Sequence, residues 1–395
     1  MPPCPRAAPG SGEGSAGTSG PKVVDIFRDH ADAYRARHGL SPEQDRFLRD
    51  VTACRTAALG GHLYVCPGCG FEEPHYNSCR NRNCPNCQAL EQARWIEARE
   101  RRILPVGHHH VVFTLPEQVR PLARRYPKEV YEALFAAVND ALTTLAHDVL
   151  GAQLGVTAVL HTWTRKLLFH PHVHCIVTAG GLSTDGQRWV ERTRYLFPVR
   201  RMKALFRARF LAQLARRRDA GRLPCSDEEW SRLLRDLPGK RSWVIFVEPP
   251  FGRSTHVLRY LGRYTHRVAI SDQRLVAVDH DHVTFRTYDD ETLTLSPEEF
   301  IRRFLLHVLP RGFRKIRHFG MYSPAGVRSR LPRARDLLGD GDRPDDPTEP
   351  SAAPHESWAE VMARLVGADP LLCPRCRSAR LVPRPLARGP PPRPG

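Results

Sequence analysis

The sequence predicts an α+β fold with a mostly antiparallel sheet, preceded by a small cysteine-rich, zinc-binding module. Three observations carry that prediction. Strand-type and helix-type runs are mixed without the strict alternation of a parallel α/β sheet. Turn dipeptides, Gly180-Gly181 and Asp185-Gly186, punctuate the apolar runs in the middle of the chain. Five of the 11 cysteines crowd into residues 66–87 of a 395-residue chain, a length that suggests two or three domains.

Residues 1–22 are Gly, Ser, Pro and Ala, the composition of a disordered tail. A helix is expected to start at Ser41, because Ser41-Pro42-Glu43-Gln44 is a capping box with Pro at the first helical position. Phe47, Leu48, Val51 and Cys54 follow at helical spacing, and Gly60-Gly61 ends the run. After the cysteines, a helix carrying Trp95 leads to a strand, His110–Leu115, closed by Pro116. One or two helices are expected between Tyr126 and Leu150, then strands over Val156–Thr164 and Leu167–Thr178. Residues 200–237 read as basic helices and Ser242–Glu248 as a strand broken by Pro249-Pro250. A helix is expected over Thr255–Tyr264, and short meander strands over Val268–Ile270, Leu275–Val278 and Val283–Tyr288. Ser296-Pro297-Glu298-Glu299 is a second capping box, and its helix ends near Leu309-Pro310. The acidic, Pro-rich stretch 339–354 reads as a linker to a short C-terminal segment. The expected division is a tail (1–22), a helical and zinc-binding module (23–105), a catalytic domain (106–335), and a linker with a short C-terminal segment (336–395).

Sixty Lys and Arg against 42 Asp and Glu give a net charge of +18, which attracts polyanions, chiefly nucleic acid. Codon bias can favour Arg over Lys but does not explain the excess over acids. No run reaches the ~18 consecutive apolar residues of a membrane span, so no membrane association is expected. The first 21 residues lack the apolar segment of a secretory signal, so the expected location is the cytoplasm.

In such a compartment the cysteines point to metal rather than to disulfides. Cys66-Pro-Gly-Cys69 and Cys84-Pro-Asn-Cys87 stand 14 residues apart, close to a four-Cys zinc pattern. Each CxxC turn aims two thiolates at one point about 2.3 Å away, and two turns complete a tetrahedron. The alternative is a set of buried free thiols. Four thiolates close the coordination sphere, so such a zinc is structural. Cys79 is a candidate substitute ligand, and His62 and His75 are weaker candidates. Arg80 and Arg82 between the pairs suit phosphate contacts. Cys373 and Cys376 form half a site, with no second pair after them.

His170-Pro171-His172-Val173-His174 opens an apolar run. Residues two apart on a strand share a face, so His172 and His174 project together while Val173 faces the core. Two imidazoles on one face can hold a divalent ion and leave positions open for a phosphate oxygen. Alone, an H-x-H strand is a common surface feature. His256, Tyr260 and Tyr264 lie four apart on the expected helix, with Arg259, Arg263 and Arg267 around them. Nearby cations lower a phenol's pKa and make it a better nucleophile. Aromatic packing against a core is the competing explanation for that pair.

These stretches together, SCRNRNCPNCQ at 78–88, HVVFTLP at 110–116, HPHVHCIV at 170–177, YLGRYTHRVAIS at 260–271 and EFIRRFLLHVLPRGF at 299–313, resemble the Y2 transposases of the IS91 family, within the HUH endonuclease superfamily. The resemblance covers roughly residues 30–335. It implies an HUH-type central antiparallel sheet flanked by helices, with a metal on one face and a tyrosine helix alongside. It implies metal ligation by His172 and His174, nucleophilic Tyr260 and Tyr264, and structural zinc at 66–87; the basic residues Arg80, Arg82, Arg259, Arg263 and Arg267 are the expected DNA contacts. The activity it implies is single-strand nicking and strand transfer through 5′-phosphotyrosine, dependent on Mg²⁺ or Mn²⁺, in rolling-circle transposition. The implied partners are single-stranded DNA at transposon ends, target DNA and the host replication machinery, in a nucleoid setting. His110, His256 and His266 are candidates for a third metal ligand.

Two other functions compete. A plasmid replication initiator or relaxase shares the HUH chemistry, but the tyrosine pair and the HVVFTLP stretch favour the transposase. A relaxase usually adds a helicase domain, and no GxxxxGK[ST] phosphate loop occurs. A non-catalytic zinc-finger DNA binder accounts for charge and cysteines but not for HPHVH with the tyrosines.

Overall fold

A computed structural model of the chain describes residues 20–194, 196–237, 239, 243–250, 269–288, 291–339, 359–360, 363–364 and 367–390. Two helices come first, α1 (Val23–Arg37) and α2 (Pro42–Ala53). Ser41 caps α2 as its sequence requires, its hydroxyl accepting from the Gln44 amide while the Gln44 side chain accepts from the Ser41 amide. A hairpin follows, β1 (Gly61–Val65) and β2 (Glu72–Tyr76), then α3 (Gln88–Glu100). The middle of the chain holds β3 (His108–Thr114), α4 (Arg120–Arg125), α5 (Pro127–Leu145), β4 (Ala152–Gln153), β5 (Gly155–Trp163), β6 (Phe169–Thr178), β7 (Gly180–Ser183) and β8 (Trp189–Glu191). Helices α6 (Val199–Asp219) and α7 (Asp227–Asp236) precede β9 (Val244–Val247). A meander of β10 (Leu275–Val278), β11 (Val283–Arg286) and β12 (Thr292–Leu295) leads to α8 (Pro297–Leu305). The last elements are β13 (Ile316–Gly320), α9 (Pro324–Leu337) and β14 (Val382–Leu386).

The central sheet runs β13-β5-β6-β3-β9, with every neighbouring pair antiparallel. The fold is therefore α+β with antiparallel sheets flanked by helices, as the sequence predicts. Strand alternation sorts its residues by face. Val111, Phe113, Ala158, Leu160, Val173 and Cys175 point to one side and share a core with Leu134, Phe135 and Val138 of α5 and Phe206 and Phe210 of α6. Helices cover that face, and the other carries the strands' histidines beside Val159 and Ile176, which pack on Leu104, Met321 and Leu331.

A second core joins parts far apart in sequence. Phe27 of α1 and Phe47 of α2 pack on Phe304 of α8, with ring centroids 5.0 and 5.3 Å away. The helices of residues 23–53 thus share a core with 269–305. The first contact is edge-to-face and the second stacked, and such aromatic pairs add to the area they bury.

Several elements were not expected from sequence. Edge strand β13 reads IRHFG, half-buried along its length, so no apolar alternation marks it. Arg317 anchors it, forming two hydrogen bonds of 2.8 and 2.5 Å to the Glu132 carboxylate. It ends at Gly320, whose φ of 59° and whose absent Cβ, which would lie 1.9 Å from the Leu154 carbonyl oxygen, together require glycine. Of the expected strand over Val268–Ile270, Ala269 and Ile270 are not strand and residue 268 lies outside the described residues. The helix expected over 255–264 and most of the linker lie outside them too. Among the described residues, no helix is long and apolar enough to cross a membrane.

Candidate functional site

The opposite face of the central sheet carries a histidine cluster, beside a further apolar core that Val159 and Ile176 form with Leu104, Met321 and Leu331. On β6, His170, His172 and His174 alternate with buried Pro171, Val173 and Cys175. On β5, His161 stands directly across from His172 in the antiparallel register. One ring nitrogen from each of His161, His172 and His174 lies within 4.8 Å of the others, a spacing that suits ligands of one ion.

The hydrogen bonds determine which nitrogens are presented. His172 Nδ1 donates to the His170 carbonyl oxygen at 2.6 Å, which leaves Nε2 with its lone pair. His174 Nδ1 lies 2.8 Å from His110 Nε2, and His110 Nδ1 lies 3.1 Å from Glu248 Oε2. With His174 donating to His110 and His110 donating to Glu248, His174 Nε2 carries the lone pair. Such carboxylate–imidazole support fixes the tautomer and ring orientation of a metal ligand. The His161 ring stacks on Trp163, with centroids 4.6 Å apart and planes 18° from parallel.

Burial pushes His172 down to about 4, against the bond to His170. Burial, then the neighbouring imidazoles of His161, His172 and His110, hold His174 well below the usual histidine range. Neutral imidazoles at physiological pH are the form that ligates metal.

His170 belongs to a different contact. Its Nδ1 accepts from Arg120 Nη2 at 3.2 Å, and it is not in the cluster. Of the third-ligand candidates, His110 takes the supporting position behind His174. His256 and His266 lie outside the described residues, as do Tyr260, Tyr264, Arg259, Arg263 and Arg267. The third member of the cluster is His161, which sequence reasoning missed. The signal was the short turn between two strands already recognised, because pairing them across it sets His161 opposite His172.

The cysteines group differently from their spacing. Cys66, Cys69, Cys84 and Cys87 are not brought together as one cluster. Cys84 and Cys87 join Cys54, from the end of α2, and Cys79. Cys66 and Cys69 join Cys373 and Cys376. The physical reason is topological: β1 and β2 carry the first CxxC turn away from the second, and β14 pairs with β1 and brings the C-terminal turn to it. In the first cluster Cys54 Sγ lies 3.2 Å from Cys87 Sγ and 3.6 Å from Cys84 Sγ. Cys79 Sγ lies 3.6 Å from Cys87 Sγ. A tetrahedral Zn²⁺ with 2.3 Å bonds separates its thiolates by about 3.8 Å, so this donor set fits zinc. His62 and His75 lie on the β1–β2 hairpin and belong to neither cluster.

The two basic residues of the loop differ in role. Arg80 is exposed. Arg82 is turned inward, its guanidinium donating to the Pro310 carbonyl oxygen at 3.0 Å and to that of Phe313. Arg82 therefore ties the cysteine loop to the 310–313 segment.

Two family models match the chain. Residues 26–115 match a family model described as "Transposase zinc-binding domain", and residues 155–330 match one described as "Putative transposase". The chain is 42% identical to "Putative transposase y4qJ" of Sinorhizobium fredii, over 92% of this chain and 95% of that protein. It is 28% identical to the "Transposase for insertion sequence element IS801" of Pseudomonas savastanoi pv. phaseolicola, over 87% of this chain and 84% of that one. No solved structure matches the chain.

Proposed function

The chain belongs to the IS91 family of Y2 transposases, and on that premise we propose that it nicks and rejoins single-stranded DNA at transposon ends, using a divalent ion held by His161, His172 and His174. A transposase of this family acts as a nuclease and transesterase on DNA. The observation that carries the finer reading is the convergence of three imidazoles on one face of the central sheet. A bound Mg²⁺ or Mn²⁺ there supplies Lewis-acid polarisation of the scissile phosphate.

The chain's own residues orient the reaction. The His170 carbonyl oxygen and the Glu248–His110 pair hold the His172 and His174 rings with their Nε2 atoms outward. On the same face, exposed Phe246 of β9 lies in register with Val112 and so in line with His174, where an aromatic ring can stack on an unpaired base. The net charge of +18 supports binding to the phosphate backbone, and exposed Arg80 is one contact.

Tyr260 and Tyr264 are the proposed nucleophiles, on the strength of the family resemblance and their helical spacing. The phenolate oxygen bonds to phosphorus, the bond from phosphorus to the 3′ oxygen breaks, and the products are a 5′-phosphotyrosyl link and a free 3′-OH. The ester conserves the phosphodiester energy, so rejoining needs no nucleotide. One tyrosine can hold the first end while the other makes the second cut, and the 3′-OH is a primer end for the host replication machinery. This places the protein in the cytoplasm at the nucleoid. The test is incubation of the protein with labelled strands carrying the element's ends, with and without added Mn²⁺ or Mg²⁺. A specific nick in single strands that requires the added ion supports the reading, and equal cleavage of duplex DNA overturns it.

A further inference from the structure

The lone C-terminal CxxC finds its missing half at the other end of the chain. Cys66 Sγ lies 3.6 Å from Cys376 Sγ, and Cys69 Sγ lies 3.7 Å from Cys373 Sγ, 304 residues away in sequence. Both spacings match the edge of about 3.8 Å for a tetrahedral zinc thiolate site. We propose that Cys66, Cys69, Cys373 and Cys376 form a second structural zinc site, which pins the C-terminal segment to the N-terminal module. The zinc-binding family match ends at residue 115 and cannot include the C-terminal pair.

The backbone supports the assignment independently of the sulfurs. The two turns, Cys66-Pro-Gly-Cys69 and Cys373-Pro-Arg-Cys376, fold alike. In each, the amide four residues on donates to the first cysteine's carbonyl oxygen at 3.0 Å, Gly70 to Cys66 and Arg377 to Cys373. In each, the residue after the second cysteine is left-handed, Gly70 at φ 69° and Arg377 at φ 54°. Glycine takes that conformation freely, whereas arginine takes it only against a steric penalty on its Cβ. Arg377 holds it because the turn aims both thiolates at the facing pair. The Ser378 hydroxyl donates to Cys376 Sγ at 3.2 Å, the kind of outer support a ligating thiolate receives.

The surroundings complete a two-part module. Strand β14 pairs with β1 from Gly61 opposite Leu386 to Val65 opposite Val382. Cys66, Cys373 and Leu381 are buried together, with Tyr64, Phe71 and Ala379 packed against them. A four-thiolate metal site would add its binding free energy to that small core and to the β1–β14 pairing.

The test measures zinc in the full-length protein, purified reduced, by elemental analysis and native mass spectrometry. The expected content is two zinc ions per chain. The Cys373→Ser, Cys376→Ser double variant should retain one, and a Cys225→Ser variant, altered outside both clusters, should retain two. Native mass spectrometry of the double variant reports its folded charge distribution, which separates loss of one ion from unfolding. If the double variant unfolds, cobalt substitution of the wild type decides: two Co²⁺ ions per chain, both with thiolate charge-transfer absorption, support the proposal. One ion per wild-type chain overturns it, as does a double variant with unchanged zinc, or disulfide bonding among these four cysteines in the reduced protein.

Discussion

His161 of β5 and His172 of β6 face each other across one antiparallel pair, with ring centroids 5.5 Å apart. That relationship turns a two-histidine strand into a three-imidazole cluster and makes His161 equal in standing to His172. His161→Ala should therefore abolish nicking as fully as His172→Ala or His174→Ala, by at least ~100-fold, while DNA affinity stays within a few fold because distributed positive charge carries it. His170→Ala should remain active, since His170 bonds Arg120 instead. Nicking assays beside filter binding check both. A His161→Ala enzyme with wild-type rates would remove His161 from the site.

The Glu248–His110 pair behind His174 should act on metal affinity rather than on chemistry. Glu248→Gln or His110→Ala should weaken metal affinity by about 10–100-fold, and raised Mn²⁺ should restore most of the rate. Titrating nicking against Mn²⁺ separates the two effects. A lowered rate that excess metal cannot restore would place these residues elsewhere in the reaction.

Arg80 and Arg82, neighbours in sequence, should separate cleanly. Arg82→Ala removes the donor for the Pro310 and Phe313 carbonyl oxygens and should cost about 1.5–3 kcal/mol of stability, seen in denaturant melts. Arg80→Ala should leave stability unchanged and reduce the slope of log affinity against log salt by about one. A stability loss in Arg80→Ala with a changed salt slope in Arg82→Ala would refute this division of roles.

Acid should destabilise the protein before its carboxylates titrate. Burial lowers His108 to about 4 and His307 to about 3, each from about 6.5. The unfolded chain thus takes up protons first. The stability from these neutral histidines is complete above pH ~6.5 and drains as pH falls toward 4 and then 3, by up to about 1.4 kcal/mol per pH unit for each. Chemical denaturation from pH 7 to 5 should show this decline, and His307→Asn should flatten it whatever it does to the absolute midpoint. An unchanged slope in that variant would contradict the burial account.

What could be read in the sequence was what one strand or one helix determines. The alternation around Val173 set His172 and His174 on one face without reference to any neighbour. The Ser41 capping box likewise fixes the start of α2 locally. His161 was invisible because its role exists only across a strand pair. The cysteines misled for the same reason: nearest pairs were matched, whereas folding joins Cys84 and Cys87 to Cys54 and sends Cys66 and Cys69 to the C-terminal pair. Cys54 looked like one more apolar position on a helix face. Nothing local to Arg82 reveals the Pro310 and Phe313 carbonyl oxygens that it bonds.

The proposed attack of Tyr260 or Tyr264 on DNA is tested most directly by mass mapping of the covalent adduct. Protein incubated with labelled single-stranded ends and Mn²⁺ is resolved on a denaturing gel, and the shifted band is digested and sequenced by mass spectrometry. The account predicts a 5′-phosphate on Tyr260 or Tyr264, weakened strand transfer in each single Tyr→Phe variant, and no adduct in the double variant. An adduct that persists in the Tyr260→Phe, Tyr264→Phe double variant, or that maps to another residue such as Tyr288, would contradict it.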